Sequence, residues 1–402
     1  MKSIFVGIDV SKHSFTACAL DTTANKLFFF SASMDNRGLS KLLSALNPYP
    51  QNAILIAMES SGLYHIPLFA SLSARNFKIL LLNPLLISNY SKLSLRKTKT
   101  DKKDAFAIAS FLLNYHKLLY KKLRSQPLQQ LKELTREREN ITSQIAKLKN
   151  DIEKLLAVTF PELPQHINPF SKSILNLLCS YPSSHAIKNC PIETINSFLN
   201  PTKGRKPLIS AQKIVSLAKN SIAPQNKAKE FILSQKISTL IFFSKKLNEI
   251  DTIIYELAQR LIADELKILT SVKGIGKVTA IQFLAEIGSI SYFESPKKLI
   301  AFMGIDPTVY ESGQFKGKSR LSKRGNKHLR RIIWLMAHKI VRFNSVFKKY
   351  FQKRLSQGLP FKKAIFAVAH KLVRVLYALP VSYTHLRAHE TRHDLVCRLL
   401  LE

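Results

Sequence analysis

Acidic residues are scarce in this chain. Twenty-six Asp and Glu stand against 62 Lys and Arg in 402 residues, a formal charge of +36. An excess of that size calls for a polyanion, and nucleic acid leads the candidates. A membrane surface would draw its basic residues into one cluster, whereas here they are spread over the whole chain. No uninterrupted apolar run approaches the roughly 20 residues that a membrane span needs. The amino terminus, Met1-Lys2-Ser3-Ile4, runs straight into a strand and leaves no room for a signal peptide. Only four cysteines occur, Cys18, Cys179, Cys190 and Cys397. Their spacing pairs none of them, which argues against both a zinc site and a disulfide framework. Internal repeats and low-complexity tracts are missing as well. A hydrophobic content of 46% excludes wholesale disorder, and the length suits two or three domains. The expected class is a reduced, cytoplasmic, nucleic-acid-facing protein.

Four of the rare carboxylates fall at places where chemistry would want them. Asp9 ends the apolar run Ile4-Phe5-Val6-Gly7-Ile8, and Glu59 ends Ala53-Ile54-Leu55-Ile56-Ala57-Met58. Asp101 and Asp104 stand three apart at the head of an apolar-periodic helix, so they share a face. Two carboxylates on strand ends and a pair on one helix make an oxygen-ligand set for Mg²⁺, with Mn²⁺ as a substitute. Such a set is able to hold two metals around an in-line phosphoryl transfer. Helix capping by Asp101 or Asp104, shared with Thr98 or Thr100, is the plainer alternative for the second pair. It leaves Asp9 and Glu59 unexplained. Asp21 and Asp35 lie in turn-like surroundings and are set aside.

Short strands are expected over 3–10, 14–20 and 26–32, then a helix from Gly38 to Leu46. A strand (53–59), a helix (64–75), a strand (77–82) and the helix of Asp101 and Asp104 follow. Three strands and then alternating helix and strand is the order of an RNase H-like fold. Residues 83–100 read as a basic loop, with Arg96, Lys97 and Lys99 as phosphate contacts or as a merely solvated face. A long helix of coiled-coil character is expected from Pro127 to Ala157, and a second stretch from 210 to 264 to return antiparallel to it. Residues 171–206 read as irregular.

From Leu269 the character changes. Val272-Lys273-Gly274-Ile275-Gly276-Lys277 resembles a helix-hairpin-helix turn, in which Lys273, Gly274 and Gly276 would meet a DNA phosphate. A tight interhelical turn without a ligand is the plain alternative. The stretch from Val309 to Asn326 is rich in Gly, Ser, Lys and Arg and reads as a mobile, phosphate-seeking loop. Lys316, Lys318, Arg320, Lys323 and Arg324 are its candidate phosphate contacts. Ser312 and Ser322 are both candidate nucleophiles there on chemistry alone. Helices over His328 to Phe343 and Phe361 to Tyr377 close the chain's apolar pattern. Residues 381–402 contain no lysine, carry His385, His389 and His393, and read as a foreign or frameshifted tail without function.

These stretches resemble the DEDD transposases of the insertion-sequence-110 type, whose relatives include Piv-like DNA invertases. Val6-Gly7-Ile8-Asp9-Val10-Ser11-Lys12, Met58-Glu59-Ser60-Ser61-Gly62 and Thr98-Lys99-Thr100-Asp101-Lys102-Lys103-Asp104-Ala105 carry the likeness at one end. Val272-Lys273-Gly274-Ile275-Gly276, Phe302-Met303-Gly304-Ile305, Tyr310-Glu311-Ser312-Gly313 and Leu321-Ser322-Lys323-Arg324-Gly325-Asn326 carry it at the other. The resemblance implies a mixed α/β and α fold: a RuvC-like (RNase H-type) domain over 1–120, a helical coiled-coil linker over 121–265 and a mostly helical transposase domain over 266–380. It implies Mg²⁺ on Asp9, Glu59, Asp101 and Asp104, and it assigns the nucleophile to Ser312, forming a phosphoserine link to DNA. It also implies element-end and target DNA, a structured noncoding guide RNA, and a homodimer or homotetramer as partners. A DNA invertase of the same chemistry, a metal-dependent nuclease or junction resolvase, and an inactive nucleic-acid-binding relic are the competing readings.

Overall fold

The computed structural model of the chain describes residues 3–59, 62–82, 84–91, 101–116, 126–199, 209–308, 311–312, 315–316 and 320–385. They divide into two units, Met1–Lys122 and Leu123–Glu402.

The first unit is organised around one mixed sheet. Its elements in chain order are β1 (Ile4–Val10), β2 (Ser14–Leu20), β3 (Lys26–Ser33), α1 (Asn36–Leu46), β4 (Ile54–Glu59), α2 (Ile66–Ser73), β5 (Lys78–Leu82), α3 (Pro84–Ser91) and α4 (Asp101–Tyr115). The strand order is β3-β2-β1-β4-β5. β1 runs antiparallel to β2 and parallel to β4, which is parallel to β5. Alternation of side chains explains why β1 and β4 are apolar throughout. Ile4, Val6 and Ile8 join Ile54, Ile56 and Met58 on one face, packed with Leu42 and Leu46 of α1 and Leu68 and Leu72 of α2. Phe5 and Ala57 face the other way, toward Ile87 of α3 and Ile108, Phe111 and Leu112 of α4. Each such buried Leu, Ile or Phe contributes about 1.5–3 kcal/mol.

Two contacts fix the direction of α4. The rings of Phe5 and His116 lie 4.8 Å apart. At Gly7 the backbone meets Ala105 and Ala109 so closely that a Cβ would strike both. α4 therefore runs antiparallel to β1, and its amino-terminal end comes to the carboxyl-terminal end of that strand. The two acids set aside have structural work. Asp21 accepts hydrogen bonds from the Thr23 hydroxyl and from the amides of Thr23 and Asn25, and its pKa is lowered to about 2, chiefly by the Thr23 hydroxyl. Asp35 caps α1 by accepting from the Gly38 amide. The expected loop over 83–100 needs correction at its start, because 84–91 is helical. Ile87 is buried, and Tyr90 meets Phe111 edge-on, so packing on α4 overrides the polar sequence.

The second unit is helical, with α5 (Gln126–Thr159), α6 (Leu163–His166), α7 (Lys172–Ser180), α8 (Ser184–Lys188), α9 (Ile192–Leu199), α10 (Ala211–Lys219) and α11 (Lys227–Leu261) first. Then come α12 (Ala263–Thr270), α13 (Lys277–Ile287), α14 (Pro296–Met303), β6 (Pro307–Thr308), β7 (Glu311–Ser312), β8 (Phe315–Lys316), β9 (Arg320–Leu321), α15 (Lys327–Phe343), α16 (Ser345–Ser356) and α17 (Phe361–His385). Ion pairs Arg138–Asp251 and Asp151–Lys236 establish that α5 and α11 pack antiparallel. At one end of this pair, α6 to α10 enclose a core of Phe160, Ile174, Leu178, Ile187, Ile195 and Ile214. At the other end, α12 to α17 enclose a second core that includes Leu269, Phe283, Met303, Ile333, Phe347 and Leu372.

Three expectations change here. Residues 171–206 are not irregular where described, since α7, α8 and α9 occupy most of 172–199. Helices this short carry barely two turns of periodicity, and Pro182 and Pro191 punctuate them. The stretch 210–264 is α10, α11 and the start of α12, broken first at 220–226, where Pro224 cannot continue a helix and Asn226 caps the next one. α16 lies between the two expected terminal helices, capped by Asn344, with Phe347 and Phe351 buried one turn apart. No helix among the described residues is long and apolar enough to cross a membrane.

Candidate functional site

Ile8 and Met58 are the last paired positions of the parallel strands β1 and β4. Asp9 and Glu59 follow them, so the two carboxylates occupy neighbouring positions at the same end of the sheet. Strand alternation puts both on the face that carries Phe5, Gly7 and Ala57, which is the face that α4 covers. Both are half-buried. Asp9 stands opposite Thr16 of β2, whose hydroxyl shares a 2.9 Å hydrogen bond with Ser31. On α4, Asp104 immediately precedes Ala105, which touches Gly7, and it is half-buried too. Asp101 opens the same helix one turn earlier, and its side chain lies outside the described part of the chain. The fold thus brings Asp9, Glu59 and Asp104 to one end of one face. Among the described residues no three His, Cys, Asp or Glu side chains close into a ligand cluster. The acidic side chains on this face are carboxylates, whose oxygens suit Mg²⁺ or Mn²⁺ rather than a softer metal. The basic candidates Arg96, Lys97 and Lys99 lie outside the described residues.

In the second unit, strand pairs run into and through the expected mobile loop over Val309 to Asn326 where it is described. β6 pairs with β9 through Pro307–Leu321 and Thr308–Arg320, and β7 pairs with β8 through Glu311–Lys316 and Ser312–Phe315. Ser312 therefore ends the inner arm of a nested hairpin, with two residues between it and Phe315. Of the expected phosphate contacts, Arg320, Lys323 and Arg324 are exposed, Lys316 lies on β8, and Lys318 falls outside the described residues.

Ser322 is differently placed. Its hydroxyl donates to Asp306 at 2.6 Å and accepts from the Arg324 amide, while its own amide donates to the Asp306 carbonyl at 2.9 Å. It closes the base of the hairpin. Lys323 follows in a left-handed conformation (φ 54°), held by a hydrogen bond from its amide to the Gly304 carbonyl. Gly325 packs backbone to backbone on Gly304, where a Cβ would approach the Gly304 nitrogen to 2.5 Å. Asn326 then caps α15, accepting from the amides of His328 and Leu329.

The Gly-x-Gly turn joins α12 to α13. Gly274 has a φ of +108°, and a Cβ there would come within 2.9 Å of the Ile340 Cα on α15. Its glycine character is thus explained by close helix packing. Gly276 is the amino-terminal cap position of α13, and Lys273, Gly276 and Lys277 are exposed beside it.

One polar constellation escaped the sequence reading. Glu286, 1% exposed, takes two hydrogen bonds from Arg136 of α5, at 2.6 and 3.0 Å, and one from Asn326 at 2.6 Å. Burial pushes its carboxyl up, but the hydrogen bonds and the charge of Arg136 outweigh this and hold its pKa below the ordinary value. The signal was available as a lone acid in Phe283-Leu284-Ala285-Glu286-Ile287, whose apolar neighbours are all buried. Glu139 makes a parallel link, pairing with His328 at 2.8 Å and Arg331 at 3.0 Å.

Two family models match this chain. The DEDD model of the IS110 type, described as a transposase, matches residues 6–161. A model described as Transposase IS116/IS110/IS902 family matches residues 266–352. The insertion element IS116 uncharacterized 44.8 kDa protein of Streptomyces clavuligerus is 23% identical over 379 residues, 94% of each chain. The pilin gene-inverting protein of Moraxella bovis is 23% identical over 386 residues, covering 94% of this chain and 96% of its own. The transposase for insertion sequence element IS1111A of Coxiella burnetii is 32% identical over 112 residues, 27% of this chain and 31% of its own. Among solved structures, the T. thermophilus RuvC in complex with Holliday junction substrate aligns with 29% of this chain and 96% of its own, at 12% identity and a TM-score of 0.23.

Proposed function

The chain belongs to the IS110/IS116 transposases and is a DNA transposase/recombinase, and from that footing we propose a serine recombination mechanism supported by a carboxylate site. The observation that carries the reading is the meeting of Asp9 and Glu59 on adjacent parallel strand ends, under the helix that begins with Asp101 and Asp104. In this reading the first unit is a RuvC-like, RNase H-type domain and residues 121–265 are the helical linker. Asp9, Glu59, Asp101 and Asp104 would hold Mg²⁺, which when bound polarises a phosphate and stabilises its charge.

Ser312 is the proposed nucleophile. Its Oγ forms a bond to the scissile phosphorus as the bond from phosphorus to the departing strand oxygen breaks. The serine hydroxyl loses its proton and the departing oxygen gains one. Rejoining runs the same exchange backward, so the phosphodiester count is conserved. Support for Ser312 over Ser322 comes from the latter's engagement with Asp306, which gives that hydroxyl a structural job. Lys273, Gly276, Lys316, Lys318, Arg320, Lys323 and Arg324 would contact phosphates, with Arg96, Lys97 and Lys99 doing so in the first unit. A structured RNA as guide, and oligomers that combine carboxylates and serines from different protomers, complete the reading.

DNA inversion is the second reading, which the likeness to the pilin gene-inverting protein over nearly the whole chain fits. Both use the same proposed chemistry. The test is a trap for a covalent protein–DNA adduct, with element-end DNA, Mg²⁺ and the RNA encoded in the flanking DNA. An adduct present in wild type and Ser322→Ala but absent in Ser312→Ala and Asp9→Ala is the expected result. Strand cleavage that survives Ser312→Ala without an adduct would replace the serine mechanism with a metal-dependent nuclease.

A further inference from the structure

A cleft of about 860 Å³ opens at the foot of the serine hairpin. Arg320 of β9, Arg354 of α16, and Lys362, Lys363, Lys371 and Arg374 of α17 line it, and no carboxylate does. The cause lies in the sequence. On α17, Lys363, Ala367, Lys371 and Arg374 recur along one stripe, while Ile365, Ala369, Leu372 and Leu376 on another are buried in the core. From Glu311 to Glu390 the chain contains no other Asp or Glu.

Two of these cations are held in place by one aromatic ring. Arg354 lies with its Cζ 5.0 Å from the Tyr350 ring centroid, and its Nε donates to the Tyr350 hydroxyl at 3.1 Å. Lys371 Nζ lies 5.1 Å from the same centroid. His370 donates from Nε2 to the Ile305 carbonyl at 2.8 Å, which ties α17 to the chain entering the hairpin. Phe366, backed by Trp334 at 5.0 Å between ring centroids, adds a flat apolar patch to the wall. The volume falls in the range of about 300–1,000 Å³ typical of sites for whole small molecules and exceeds what one phosphate needs. Clustered cations beside an aromatic wall suit consecutive phosphates with their bases, which is single-stranded nucleic acid.

We propose that this cleft binds a short single-stranded DNA segment adjoining the phosphate that the hairpin serine attacks. The proposal rests on the reading of Ser312 as nucleophile for its choice of strand. Arg320 and Leu321 are both cleft wall and outer hairpin strand, and Thr308, which pairs with Arg320, is four residues before Ser312 in the chain.

The test measures binding of labelled single-stranded DNA, and of RNA of the same sequence, to the purified full-length chain across a salt series. The triple variant Lys363→Gln/Lys371→Gln/Arg374→Gln should bind the DNA at least about tenfold more weakly. Its salt slope should be shallower by about 2, since each phosphate contact on a single strand contributes about 0.7. A charge-matched control, Lys348→Gln/Lys349→Gln/Lys353→Gln, removes exposed α16 lysines outside the cleft and should change affinity less than twofold. Arg320→Gln, on the opposite wall, should lower the slope by about 0.7, so the reading does not hang on the folding of the triple variant. Equal losses in cleft and control variants would overturn the proposal, as would losses confined to RNA. Slope changes in the cleft variants together with no adduct in wild type would remove the serine reading and leave the cleft as a DNA site.

Discussion

Gly7 of β1 and Ala109 of α4 touch backbone to backbone, with no room for a side chain between them. That contact sets how close the helix bearing Asp101 and Asp104 approaches the strand bearing Asp9. Gly7→Ala should therefore lift α4 from the sheet. Overpacking of this kind costs about 1–3 kcal/mol, and backbone on both sides leaves little to relax. Thermal melts should show a clear loss of stability, and adduct formation should fall with it. Wild-type melting and activity in Gly7→Ala would show that α4 is not held where described.

Asp9→Asn and Glu59→Gln keep the shape of the sheet and remove charge from its end. Adduct formation should drop by about 10²–10³-fold, the scale of losing one preorganised electrostatic group. DNA affinity and melting temperature should stay near wild type. Retention of adduct formation in both variants would mean that these carboxylates do not serve the reaction.

Ser322→Ala removes a hydroxyl bonded to Asp306 and to the Arg324 amide. A stability loss of about 1 kcal/mol is expected from the missing hydrogen bond, more if Asp306 is left unpaired. The adduct should persist. An adduct lost in Ser322→Ala and kept in Ser312→Ala would reverse the two assignments.

Glu286 predicts an acid-sensitive second unit. Its pKa in the folded chain lies below the value of about 4.3 usual for an unfolded glutamate. The stability it contributes is therefore fully present above that unfolded value and is lost as pH falls through the folded one. Melting temperatures taken from neutral pH down into the acid range should fall more steeply for wild type than for Glu286→Gln. At neutral pH, Glu286→Gln should be less stable by about 2 kcal/mol, a figure reduced from that of a fully buried pair because Arg136 is 39% exposed. Parallel pH curves for the two proteins would rule the contribution out.

The sheet was legible because β1 and β4 are buried on both faces, which leaves continuous apolar runs with a carboxylate standing out at each end. α5 was legible because 34 residues repeat the helical period many times. α7, α8 and α9 offer too few turns for the same reading, and the helical start of 83–100 is decided by Ile87 and Tyr90 meeting α4, a contact between segments. The serine hairpin was hidden by strands of two residues each, set among Gly, Ser, Lys and Arg. The basic cleft was hidden for a different reason. Its walls come from β9, α16 and α17, and only folding shows that Arg320 faces the stripe of Lys363, Lys371 and Arg374. Glu286 stood out as a lone acid among apolar neighbours, but its partner Arg136 lies 150 positions away in the chain and only folding brings the two together.

The long stretch without a carboxylate between Glu311 and Glu390 bears on how the molecule exists between reactions. Like charges gathered along α15, α16 and α17 push against the packing of the second unit. Salt relieves that push by screening, and a bound polyanion relieves it by neutralisation and mass action. The second unit should thus melt higher as salt or nucleic acid is added, and lowest in dilute buffer with neither. A protein built this way gains stability from its cargo, and the empty form is the one most exposed to unfolding and proteolysis.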